Sequence, residues 1–113
     1  MSTACLIAIH LDDEQYRSVY CHFDGYDYDQ GVGPTLRSHF NNEDSARSLI
    51  DLGDLSYIKG NEVCAYHRDR GDHWDKTQPV ISNSKNELMK RAQDNWASCL
   101  YIFEDDRWRS LKV

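Results

Sequence analysis

Two segments with alternating apolar residues, separated by a short polar turn, occupy residues 4–23, and this pairing constrains the fold more than any other feature. Over residues 4–11, Cys5, Ile7, Ile9 and Leu11 fall on one face of an extended strand, with smaller residues and His10 on the other. Residues 12–15 are polar, and residues 16–23 set Arg17, Val19, Cys21 and Phe23 against Tyr16, Ser18, Tyr20 and His22. A period of two in both segments predicts a β-hairpin with a buried first strand.

The punctuation beyond the hairpin changes character. Residues 24–33 are too rich in Gly and Asp to continue a strand, and Pro34 suits the first turn of a short helix over residues 35–40. Asn41 or Asn42 can cap a second helix running through Leu52, with acids in its first turn and Gly53 just past its end. A connector holding Leu55, Tyr57 and Ile58 leads to a third strand over residues 62–67, after which the charged residues 68–76 leave the sheet. Ser84 followed by Glu87 has capping-box spacing and opens a third helix that ends near Asp94 or Asn95. Residues 97–103 and 107–113 flank an acidic three-residue turn, Glu104-Asp105-Asp106, as a terminal hairpin. Hairpin, helices, strand, helix, hairpin is the order of an α+β two-layer domain. It implies a mainly antiparallel sheet of about five strands with two or three helices on one face. At 113 residues the chain suits one domain, residues 1–113.

Charge and cysteine usage narrow the function. Residues 1–60 hold ten acids and four bases, a balance of −6, whereas residues 61–113 hold nine of each. An acidic surplus disfavours direct binding to nucleic acid, which needs Lys and Arg to displace counterions, and suits a basic protein surface. Cys5, Cys21, Cys64 and Cys99 form no Cys-x-x-Cys pair, so neither a zinc knuckle nor a redox motif is written, and core thiols are expected. No apolar run approaches the roughly 20 residues of a membrane-spanning helix, and no secretory leader pattern opens the chain. The cytoplasm is the expected compartment.

Several separated blocks carry a resemblance: Tyr20-Cys21-His22-Phe23-Asp24-Gly25-Tyr26, Gly31-Val32-Gly33-Pro34-Thr35-Leu36, Leu52-Gly53-Asp54-Leu55-Ser56 and Ala65-Tyr66-His67-Arg68-Asp69-Arg70-Gly71-Asp72. In this order, over most of the chain, they resemble a family of small phage, prophage and plasmid proteins. Phe23 stands where that family has tryptophan, and the stretch between Gly25 and Gly31 is longer here. The resemblance implies a mobile-element setting and an accessory protein that interferes with host defence, an inhibitor of the anti-CRISPR kind. It implies no catalytic residue.

Asp24, Tyr26, Asp27, Tyr28 and Asp29 interleave aromatic contact area with negative charge and form the preferred protein-binding surface. The plain alternative is a solvated loop with turn-forming aspartates and tyrosines folded onto the core. Gly25 directly after Asp24 does not fit a calcium-binding hand loop, and Gly31 to Pro34 lack a Walker lysine. A second reading gathers Tyr26, His67, Arg68, Arg70 and Trp74 around a nucleotide-like anion, with Arg forks and a stacking indole. Its plain alternative pairs these arginines with aspartates of the first half. A third reading, a metal-assisted hydrolase, draws on His22, His67 and an aspartate, although no helical His spacing supports it. The leading expectation is a non-enzymatic inhibitor with no cofactor, metal or catalytic set. It would bind a host defence or nucleic-acid-handling protein through acidic clusters at residues 12–14, 24–29 and 104–106, as a nucleic-acid mimic. Free strand edges leave a homodimer open.

Overall fold

A computed structural model of the chain describes residues 3–113. Strands β1 (Cys5–His10) and β2 (Tyr16–Cys21) form the expected antiparallel hairpin, Cys5 opposite Cys21 and His10 opposite Tyr16. Helices α1 (Val32–His39) and α2 (Glu43–Ile50) cross to β3 (Leu55–Lys59), which turns at Gly60 into β4 (Glu62–Ala65). Two short helices, α3 (Tyr66–Arg70) and α4 (Trp74–Thr77), precede β5 (Val80–Ser82). Helix α5 (Lys85–Asp94) returns the chain to β6 (Cys99–Glu104) and β7 (Arg107–Lys112).

The α+β class stands, and antiparallel pairings outnumber parallel ones by four to two. The strands follow the order β4-β3-β2-β1-β6-β7, with β5 also on β2, so the sheet holds seven strands rather than about five. β3 takes the Cys21 end of β2's outer edge and β5 takes the Tyr16 end. The connector around Leu55 is therefore a strand. Its apolar residues do not alternate because a bulge between Leu55 and Tyr57 returns both Leu55 and Ile58 to one core. β5 is three residues long, follows Pro79, and gains its ladder only from β2.

The helices do not share one face. Cys5, Ile7, Ile9, Val19, Tyr101 and Phe103 pack against Leu36 of α1 and Ala46, Leu49 and Ile50 of α2. Leu6, Ala8, Leu100 and Ile102 pack against Leu88 and Ala92 of α5 on the other side. Sequence reading treats Leu6 and Ala8 as the lesser face of β1, yet both are fully buried, because β6 lies parallel to β1 and needs a helical crossover to get there. The two-layer expectation becomes three layers for that reason.

Local signals place the helices well. Asn42 caps α2 reciprocally with Ser45, and Gly53 beyond the helix sits at φ +82°, where an added Cβ would lie 2.4 Å from the Thr77 carbonyl oxygen. Ser84 Oγ accepts the Glu87 N–H at 3.1 Å. The terminal hairpin turn is shorter than expected. Glu104 pairs with Arg107, and Asp105 and Asp106 make a two-residue turn with φ of 56° and 61°, the type I′ pattern that matches strand twist.

Asp54 fills the gap between β3 and β5 on the edge of β2, accepting the Tyr20 N–H at 2.9 Å. Burial raises its carboxyl above the ordinary aspartate range, against the pull of the Tyr20 N–H and of Arg91. A raised folded value means the folded chain binds this proton more tightly than the unfolded one. Stability from this group is thus full below the ordinary aspartate value near pH 3.9 and is lost as pH climbs through the folded value. Asp54→Asn, which keeps an acceptor for Tyr20, is expected to be the more stable chain at neutral pH and equal to wild type in acid. Thermal melts of both chains across that pH range check it.

Candidate functional site

The acidic clusters emerge at two ends of the sheet. β1 and β6 run parallel, so the turn at residues 12–14 and the turn at residues 104–106 follow strands that end side by side. The loop at residues 24–29 follows β2, which runs the opposite way. The three clusters therefore do not join in a single acidic band.

Loop 24–31 is tied down along its backbone. The Gly25 N–H donates to the Thr3 carbonyl at 2.8 Å, Val32 N–H to Asp24 at 2.8 Å, and Gly31 N–H to Tyr28 at 3.0 Å. From the core, the Tyr101 hydroxyl donates to the Gly25 carbonyl at 2.7 Å. Burial pushes the Tyr101 phenol far above its usual value, which keeps the donor proton in place. Asp24 and Asp29 adopt φ of 59° and 51°, a left-handed backbone that aspartate tolerates better than most residues.

On this frame Tyr26 and Tyr28 stack, ring centroids 4.6 Å apart at 24°. Tyr28 is 63% exposed, so the tyrosines are not both folded back onto the core. Asp29 is exposed and Asp24 half-buried. Asp27 departs from its expected part, because one carboxylate oxygen pairs with Arg37 and the other accepts the Ser110 hydroxyl at 2.8 Å. It braces the loop against α1 and β7 and leaves little charge for a partner.

Tyr26 borders two hollows. One, of about 410 Å³, is lined by polar groups including Asp24, Asp29, His39 and Lys59. The other, of about 440 Å³ and mainly apolar, lies between the loop and β7 and includes Tyr28, Cys99 and Leu111. Neither includes His67, Arg68, Arg70 or Trp74, so the anion site read from sequence is not assembled around Tyr26. Those residues serve one another. Arg68 donates to the Val63 carbonyl and forks onto Asp69, and the fork, with the hydrogen bond from the Ala65 N–H, holds the Asp69 carboxyl below its usual range. Arg70 lies over the Tyr66 ring at 5.6 Å, and His67 meets Trp74 edge-on at 5.2 Å while bonding the Asp72 carbonyl. The arginine pairing is with a sequence neighbour, not with aspartates of the first half.

His22 is bonded to the Tyr20 hydroxyl at 2.8 Å, and among the described residues no group of three or more His, Cys, Asp or Glu side chains could hold a metal ion. Cys5 and Cys21 are core thiols as expected, whereas Cys64 and Cys99 are only half-buried. Among the described residues no helix is long and apolar enough to cross a membrane.

Trp96 is the most exposed of the large apolar residues that sequence reading passed over. It is 89% exposed and sits at φ 58°, one residue past the α5 cap. The signal was present in its position: a helix ending at Asp94 or Asn95 puts tryptophan where a left-handed glycine or asparagine is the usual occupant. Trp96→Gly is expected to raise stability by about 1 kcal/mol, since it relieves a left-handed backbone strain of roughly 1–2 kcal/mol and gives up little burial. Denaturant unfolding of the two chains measures it.

Comparison of the chain with protein-family models, with curated proteins and with solved structures returns no match, so the reading of this loop rests on its own residues.

Proposed function

We propose that this chain is a non-enzymatic binding protein that docks on a protein partner through the tyrosine loop, with Tyr28 at the centre and Tyr26, Asp24 and Asp29 around it. Tyr28 carries this reading. A large aromatic ring held 63% exposed, on a loop fixed by hydrogen bonds to the core, loses little conformational freedom on binding and offers both apolar area and a polar tip. Asp29 and Asp24 border the polar hollow on the other side of Tyr26, away from Lys112, and there add a negative field that favours basic groups of the partner. Following the resemblance to mobile-element proteins, the partner proposed is a host defence or nucleic-acid-handling protein, and the outcome of docking is its inhibition.

The test is affinity capture from a host extract with the wild-type chain and with Tyr28→Ala in parallel. A protein retained by the first and lost by the second supports the reading. The same proteins retained by both would contradict it.

A further inference from the structure

We infer that the partner is engaged as an extended strand added to the free edge of β7, with an apolar side chain in the hollow beside Tyr28 and a carboxylate next to Lys112. This rests on the loop being the binding face and goes further by naming the form and chemistry of what binds there.

β7 is the last strand of the sheet and pairs only with β6, so its outer edge carries unpaired backbone donors and acceptors over six residues. The apolar hollow of about 440 Å³ reaches the end of that strand at Ser110, Leu111 and Lys112 and continues inward over Cys99 and Ser98, with Tyr26 and Tyr28 as its other wall. Leu111 is 38% exposed and Tyr28 63%. An added strand would satisfy the edge, and a side chain at its end beside Lys112 would reach the hollow, which is how strand addition obtains both affinity and selectivity.

Charge selects the occupant. Of the charged residues lining the hollow, Asp27 is engaged by Arg37 and Ser110, while Lys112 has no ion-pair partner among the described residues. The uncompensated charge is positive, so a carboxylate beside the seated apolar residue is favoured. A second copy of this chain is not. β7 holds Arg107, Arg109 and Lys112 and no acid, and antiparallel pairing of two such strands sets basic edges against each other.

The experiment uses the intact protein and two synthetic ten-residue peptides of high β propensity, each with a central leucine, one flanked by glutamates and the other by lysines. Fluorescence anisotropy reads binding, and amide exchange by NMR reads its place. The glutamate peptide is expected to bind at least tenfold more tightly than the lysine peptide and to protect amides of β7. Lys112→Glu is expected to abolish or reverse that preference. Equal binding of both peptides, binding of neither, or protection confined to other strands would overturn the inference, as would dimerisation through β7 in sedimentation. If the partner recovered by affinity capture needs Tyr28 but leaves β7 exchange unchanged, strand addition fails while the loop reading survives. If the glutamate peptide protects β7 but Tyr28→Ala leaves partner capture intact, the loop reading fails instead.

Discussion

A chain carrying Gly31→Ala is expected to melt about 4 to 12 °C below the wild type, from an overpacking cost of roughly 1–3 kcal/mol. An added Cβ at Gly31 would lie 2.2 Å from the Tyr26 carbonyl oxygen and 2.5 Å from the Tyr26 ring. The oxygen belongs to the backbone, and the ring is stacked on Tyr28, so neither can yield alone. Gly31 itself has an ordinary extended backbone, φ −70° and ψ 177°, which makes the effect steric and not conformational. Relief requires the loop to move away from α1, which breaks the Gly31 to Tyr28 hydrogen bond and the stacked pair together. A melting curve followed by circular dichroism checks the stability, and an unchanged midpoint would mean that loop 24–31 is not packed as described.

Tyr28→Ala is expected to do the opposite: it should leave the melting temperature near that of wild type and weaken partner binding by 2 kcal/mol or more, about 30-fold. The ring is mostly in solvent, so its removal costs the fold only part of one stacking contact. In a complex the same ring would be buried, and aromatic side chains at the middle of a contact patch carry a large share of the energy. Titration calorimetry with the captured partner separates this from Gly31→Ala, in which stability and binding should fall together.

The parts of this molecule legible in the sequence are those governed by near neighbours. Period-two alternation identified β1 and β2, Asn42 and Ser84 announced α2 and α5, and the glycine after α2 marked its end. What escaped depended on residues far apart in the chain. The bulge in β3 is a compromise with β4, β5 exists because β2 has spare edge, and α5 crosses the far face because β6 must lie parallel to β1. The site divides in the same way. Loop 24–31 announced itself by its Asp and Tyr content, and exposed Tyr28 fits that reading. That Asp27 is spent on Arg37 and Ser110, the latter 83 residues away, could not be read from the loop. Nor could the separation of the acidic clusters, which follows from strand direction alone.

The most direct test compares the affinity of one captured partner for wild type, Tyr28→Ala and Trp74→Ala. Trp74 is also surface-exposed, at 36%, but lies with His67, away from the hollows that Tyr26 borders. The loop as binding face predicts a loss of about 30-fold for Tyr28→Ala and wild-type affinity for Trp74→Ala. Wild-type affinity for Tyr28→Ala, with or without a loss for Trp74→Ala, would contradict it.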